Sequence, residues 1–236
     1  MTLKVGILQT GNPPPPLGDR FGSYSTMVQQ LLGPQYEFTT FDVRNDELPA
    51  KAESCAAYVI TGSASGVYDA DSWIAPLKDF VRDASGRSAM VGICFGHQVM
   101  AEAFGGQVIK SPKGWGIGLH RYDVQQRADW MDDARSIAVP ASHQDQIVKL
   151  PADARVLGGS EFTQYGILEY PQRRAMSLQS HPEFSAEYAA ALIELRRSSK
   201  YTNEQAERAL RTLREPNDRA RVGTWLANFL RSNVRG

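Results

Sequence analysis

A chain of 236 residues with 42% hydrophobic content carries enough apolar mass for one substantial core, with or without a small appendage. Its 26 Lys and Arg balance 26 Asp and Glu, so net charge gives no pull toward nucleic acid or an anionic membrane. Two cysteines are too few for a secreted disulfide scaffold. No run nears the ~18 apolar residues of a membrane helix, and Met1 to Gln9 lacks the regions of a signal peptide. A soluble, cytoplasmic protein with reduced thiols is expected.

Leu3 to Leu8 is a short apolar run closed by Gly11 and the prolines Pro13 to Pro16, which predicts a buried strand and a loop. Phe21 to Leu32 has helical spacing, and Tyr36 to Val43 is rich in strand formers. Ala56 to Thr61 forms another strand that stops at Gly62, and Trp73 to Ala84 a helix with Ile74, Leu77 and Val81 on one stripe. Ala89 to Ile93 runs as a strand straight into Cys94, and Phe95 to Phe104 reads as helical. Alternation of strand and helix predicts an α/β protein, with a mostly parallel central sheet and helices on both faces.

From Gln107 to Leu168 the pattern changes to short alternating runs (Gly118 to Val124, Ser136 to Val139, Ala154 to Leu157), which predict a small antiparallel section or an added strand layer. Arg174 to Gln179 is a further strand ending at Ser180-His181-Pro182-Glu183. C-terminal helices follow. Ser185 caps the first, with Tyr188, Leu192 and Leu195 on one face, and Thr202 with Gln205 fits a capping box. Val222, Trp225, Leu226, Phe229 and Leu230 form a stripe that must bury on the parent sheet or, alternatively, in a homodimer. The tail beyond Glu194 is mildly basic, which reads as the solvated face of terminal helices rather than a nucleic-acid patch.

Gly92-Ile93-Cys94-Phe95-Gly96 has the form Gly-x-nucleophile-x-Gly at a strand-to-helix junction. A sharp turn there strains the nucleophile's backbone, and small flanking residues let strand and helix approach. A sulfur at a helix N-terminus is favoured as thiolate, and the Phe95 N–H points where an oxyanion would form. Cys55, without such framing, reads as a buried structural cysteine. A base is needed from among His97, His120, His143 and His181. His181 ends a strand, Pro182 keeps the chain extended, and Glu183 can fold back on the imidazole as its orienter. His97 reads as packing or hydrogen bonding at the helix start, and His120 has no assigned role.

With Gly-Ile-Cys-Phe-Gly-His-Gln followed later by His-Pro-Glu, the sequence resembles the class I glutamine amidotransferases over roughly residues 3 to 195. It is similar in particular to the glutaminase domain of GMP synthase and to stand-alone γ-glutamyl peptidases. Gly114-Trp115, Ser142-His143-Gln144-Asp145 and Val148-Lys149-Leu150-Pro151 also support that placement. The resemblance implies a catalytic triad of Cys94, His181 and Glu183. It implies an oxyanion hole from the Phe95 N–H and the Thr61-Gly62-Ser63 loop, where the family usually has Gly in place of Ser63. It further implies that Gln98, Ser142, His143, Gln144 and Asp145 contact the substrate, with no metal and no cofactor. Residues 1–195 are then the amidotransferase-like domain and 196–236 a C-terminal helical extension packed on it.

No Gly-x-x-x-x-Gly-Lys-[Ser/Thr] loop or Ser-Gly-Gly-x-Asp pyrophosphatase motif is present. The chain therefore reads as a hydrolase of a small γ-glutamyl substrate. The Pro13 to Pro16 loop, at a strand end, would shape a pocket for the leaving group. The alternatives are a glutaminase subunit delivering ammonia to a separate synthase, and a non-catalytic binding module.

Overall fold

The computed structural model describes residues 2–234. In chain order its main elements are β1 (Leu3–Gln9), α1 (Leu17–Phe21), α2 (Tyr24–Leu32), β2 (Tyr36–Asp42), β3 (Ala57–Ile60), α3 (Ile74–Ala84), β4 (Ala89–Ile93), α4 (Phe95–Ala103), β5 (Gln107–Lys110), β6 (Gly116–Val124), β7 (Ser136–His143), β8 (Asp145–Lys149), β9 (Arg155–Gly159), β10 (Ile167–Tyr170), β11 (Ala175–Leu178), α5 (Ala186–Arg196), α6 (Asn203–Thr212) and α7 (Arg219–Asn233).

Among the described residues, nine strands form one sheet in the order β2-β1-β3-β4-β11-β10-β9-β6-β7. The first five run parallel and the last four continue the sheet antiparallel. The expected α/β class with a mostly parallel centre is therefore present, and most of the antiparallel section extends the same sheet. The exception is β5, which pairs with β8 as a separate two-stranded ribbon.

Alternation along the parallel strands feeds two cores. Val5, Ile7, Val59, Val91 and Ile93 face one way, onto Val28 and Leu32 of α2 and onto Val222, Trp225, Leu226, Phe229 and Leu230 of α7. Leu8, Tyr58, Ile60 and Met90 face the other way, onto Ile74, Leu77 and Val81 of α3 and Val99 of α4. The C-terminal apolar stripe thus buries on the parent sheet, and α7 is half of one helical layer. Asp218 fastens its start to β7: its N–H donates to Ala138 O at 2.8 Å, and its Oδ2 accepts from the Ala138 N–H at 2.8 Å.

Three local expectations change. The helix expected over Phe21 to Leu32 breaks at Gly22, whose φ of 79° lies outside helical space, and restarts at Tyr24 with Ser23 as its cap. Leu195, expected on one face with Tyr188 and Leu192, is 44% exposed, while those two bury against Tyr24, Met27 and Phe184. The proline loop does not line the cavity at Cys94. The capping box at Thr202 and Gln205 forms as expected.

Candidate active site

The parallel strands deliver their C-terminal ends to one edge, where an open α/β sheet places its ligand crevice. Thr61, Gly62 and Ser63 follow β3, Cys94 follows β4, and His181 follows β11. A cavity of about 330 Å³ opens there, lined by Ser63, Cys94, Gln98 and Ser142 through Asp145, among others.

Cys94 holds φ 53° and ψ −100°, a conformation L-residues avoid unless the surroundings enforce it. Its N–H donates to Leu178 O at 2.9 Å, and the Gly96 N–H donates to Thr61 O at 3.2 Å, which ties the turn to β11 and β3. Both framing glycines are sterically required. A Cβ on Gly92 would stand 2.5 Å from Gly96 O, and one on Gly96 would stand 2.3 Å from Ile60 O. The sulfur consequently sits at the first turn of α4, 5% exposed.

His181 is pinned from several sides. Its N–H donates to Pro140 O at 2.8 Å, and the imidazole stacks on Phe184 with centroids 3.9 Å apart and planes 9° from parallel. Nδ1 meets Glu183 Oε1 at 2.7 Å, with both side chains buried. Cys94 lies beside the imidazole: the point where a Cβ on Gly62 would stand is 2.9 Å from His181 Cε1 and 3.8 Å from Cys94 Cβ. Burial opposes a charge on the ring, but the neighbouring sulfur and the Glu183 carboxylate outweigh it and raise the histidine from 6.5 to about 10. Thiol, imidazole and carboxylate are thus gathered in one buried cluster, with the imidazole and carboxylate directly bonded, an arrangement suited to activating a nucleophile.

The candidate oxyanion groups converge on the same spot. Gly62 lies so close that a Cβ would stand 2.9 Å from His181 Cε1 and 3.8 Å from Cys94 Cβ. Its loop is fixed from behind by Thr10, whose hydroxyl reaches Thr61 O at 2.9 Å and Gly62 O at 3.2 Å. Ser63 faces the cavity, and its Oγ accepts from the Ser65 N–H at 3.2 Å.

The expected substrate contacts divide. Ser142, Gln144 and Asp145 line the cavity as half-buried residues. Gln98 also lines it, but its amide nitrogen already donates to Asp145 O at 3.0 Å and Gln179 Oε1 at 3.1 Å, leaving its oxygen free. His143 is 3% exposed, with Nδ1 3.2 Å from Asp145 O and Nε2 3.4 Å from Thr163 Oγ1. Burial, aided by His120, lowers it to about 3, so it is a neutral wall of the cavity. His97 is fully buried against Ser177 Oγ at 2.8 Å, and burial lowers it to about 3 as well. Cys55 is 1% exposed, and burial raises its thiol.

Residues that the motifs do not mark complete the site. Tyr68 donates to Asp145 Oδ2 at 2.9 Å and lines the cavity beside Asp69. Arg196, at the end of α5, reaches the cavity and donates to Ser142 Oγ at 3.2 Å. Arg219, the first residue of α7, donates from Nε to Pro182 O at 2.8 Å and from Nη2 to Glu183 O at 3.1 Å, gripping the loop that carries the histidine and its orienter. Both arginines lie in the basic tail expected to be solvated, and both turn inward. The mild positive charge of that tail was the one sequence signal for them.

Among known proteins, the Glutamine amidotransferase class-I family matches residues 19–195. A glutamine amidotransferase-like protein of Schizosaccharomyces pombe is 30% identical over 98% of this chain and 99% of its own length. Gamma-glutamyl peptidase 2 of Arabidopsis thaliana is 28% identical over 90% of each chain. A crystal structure of a glutamine amidotransferase from Methylobacillus flagellatus superposes with a TM-score of 0.78 at 19% identity, covering 100% of this chain and 96% of that one. With a family match across most of its length, this chain belongs to the class I glutamine amidotransferases and is an amide-hydrolysing enzyme.

Proposed function

We propose that the protein hydrolyses the γ-glutamyl amide bond of glutamine or of a γ-glutamyl amine or peptide through a glutamyl thioester on Cys94. The observation that carries this reading is the buried cluster of Cys94, His181 and Glu183 at the strand–helix corner, with the histidine bonded to the carboxylate at 2.7 Å. The sulfur attacks the γ-carbonyl, and the carbonyl oxygen takes up negative charge beside the Phe95 N–H and the Gly62–Ser63 loop. The C–N bond then breaks as His181 gives its proton to the departing nitrogen, leaving an acyl–sulfur bond. Water, deprotonated by the same imidazole, cleaves that bond to release glutamate and restore the thiol. Glu183 keeps Nδ1 engaged, which directs the other ring nitrogen to the chemistry. Gln98, Ser142, Gln144 and Asp145 hold the glutamyl group, with His143 as a neutral wall behind them.

The test is steady-state kinetics of the purified protein on glutamine and a panel of γ-glutamyl amides, with Cys94→Ala beside it. Turnover is expected for at least one substrate and is expected to vanish in the variant while the fold persists. Equal activity in Cys94→Ala, or no turnover of any panel member, refutes the reading. A glutaminase activity that rose only on adding a separate synthase would favour the subunit alternative.

A further inference from the structure

Three cations face the cavity without a part in the reaction at the γ-carbonyl: Lys110, Arg196 and Lys200. Two carboxylates, Asp69 and Asp145, share it. The pocket is therefore positive by one charge, which suits a ligand negative by one. Free glutamine carries no net charge, a γ-glutamyl alkylamine with a free amine is positive, and a γ-glutamyl amino acid, with one ammonium and two carboxylates, is negative by one. Charge complementarity of this kind selects among partners more than it raises affinity.

Arg196 is the informative member. Its guanidinium is half-buried and contacts Ser142 Oγ at 3.2 Å and the face of Trp115 at 5.9 Å. Among the described residues no carboxylate stands within ion-pair distance of it. Its neighbour Arg197 is satisfied by Glu194 at 2.7 Å and Glu207 at 2.8 Å. A place in the last turn of α5 would favour any cation through the helix dipole. That does not explain why the head packs on Trp115 and Ser142 at the cavity wall. A partly desolvated cation without an anionic partner is costly, and the cost is recovered when an anion arrives.

The position of Arg196 says which part of the substrate brings that anion. A small adjoining pocket is walled by Gly62, His181 and Phe184, and Ser63, Ser142 and Arg196 border both it and the main cavity. His181 must protonate the departing nitrogen, so the leaving group passes on this side. Asp145, by contrast, accepts from the Tyr68 hydroxyl at 2.9 Å and, like Asp69, borders the main cavity but not the small adjoining one. That acidic side of the main cavity suits the glutamyl ammonium.

The geometry points to Arg196, backed by exposed Lys200 in the turn that follows α5, as the binding site for a carboxylate on the leaving group, so that the preferred substrates are γ-glutamyl amino acids or short peptides with a free carboxylate beyond the scissile amide. This inference rests on the γ-glutamyl hydrolase reading given above. In the reaction the amide C–N bond breaks with a proton from His181, and the amino acid or peptide departs with its carboxylate still held by the guanidinium.

The test compares γ-glutamylglycine with γ-glutamylglycinamide, which share the glutamyl head and the scissile amide and differ only in the distal carboxylate. The wild-type enzyme is expected to favour the acid by about 10- to 100-fold in kcat/KM, the range of a charge-assisted hydrogen bond, and the preference is expected to shrink with added salt. Arg196→Gln should bring the ratio of the two substrates toward one, Arg196→Lys should keep part of it, and Lys200→Gln should lower it less. A ratio cancels any loss common to both substrates, and the wild-type comparison depends on no variant folding. Equal kcat/KM for acid and amide, or a ratio untouched by Arg196→Gln, overturns the inference and leaves the hydrolase reading intact. Turnover of glutamine but of neither γ-glutamylglycine compound does the same. No turnover of any γ-glutamyl compound overturns both.

Discussion

Replacing Gly96 by Ala tests the idea that catalysis depends on how closely α4 approaches β3. The added Cβ would sit 2.3 Å from Ile60 O and 3.0 Å from Ile60 C and Cβ, none of them the end of a flexible side chain. Relief requires the helix and strand to move apart, which stretches the 3.2 Å bond from the Gly96 N–H to Thr61 O. Overpacking of this kind costs about 1–3 kcal/mol. Helix propensity returns roughly 0.5–1 kcal/mol, so a net loss of up to about 2.5 kcal/mol is expected from the difference of those two. For a chain of this size each kcal/mol moves Tm by ~2–4 °C, giving a fall of up to roughly 10 °C. Activity should fall much further, because a displacement on the order of 1 Å at a nucleophile costs about 100-fold. The control is Gly18→Ala, where the new Cβ would meet nothing nearer than Pro13 O at 3.8 Å. Thermal unfolding and γ-glutamyl hydrolysis of both variants would be measured side by side. Wild-type Tm and kcat in Gly96→Ala would refute the close-approach argument, as would equal damage in the control.

Glu183→Gln keeps the shape but removes the charge that supports the imidazolium. It should lower kcat by about 10- to 1,000-fold with little change in KM, and an unchanged kcat would show that Glu183 does not orient His181. Arg219→Ala removes both donors to the Pro182 and Glu183 carbonyls; kcat should fall at least about tenfold, the worth of a charged hydrogen bond, with partial recovery in Arg219→Lys. Full activity in Arg219→Ala would make that contact incidental. Stability should fall on both sides of neutrality. Burial holds His97 and His143 near 3 against 6.5 in the unfolded chain, so below pH 6.5 the unfolded state binds the extra protons. Each of the two then removes about 1.4 kcal/mol per pH unit, on the order of 4 kcal/mol together by pH 5. His181, raised to about 10, acts in the opposite sense: its contribution is complete below pH 6.5 and is lost as pH climbs toward 10. Denaturant unfolding across pH 5 to 10 would read this, and a flat profile from 7 to 5 would contradict the burial of the two neutral histidines.

The nucleophile turn was legible because its requirements are local. Glycines at 92 and 96 around a cysteine state how tightly strand and helix must meet, and the contacts at Ile60 and Gly96 are those that demand them. His181-Pro182-Glu183 was legible for the same reason, since two residues of extended chain suffice to bring Nδ1 to Oε1. The parallel strands were visible as apolar runs buried on both faces. The break at Gly22 was readable too, but continuous apolar spacing from Phe21 hid it.

By itself, then, the sequence determined the kind of sheet, the strand–helix corner at Cys94 and the pairing of His181 with Glu183, because each depends on neighbours within a few positions. Only the tertiary structure decided that β5 leaves the main sheet to pair with β8, that His143 is sealed in the wall as a neutral ring, and that Arg196 and Arg219 turn inward from a basic tail. The inward turn of the two arginines follows from how α5 and α7 dock across a sheet built from earlier residues. A helical stripe announces that a face will be buried; it carries no information about which distant backbone carbonyls or cavity its polar edge will reach.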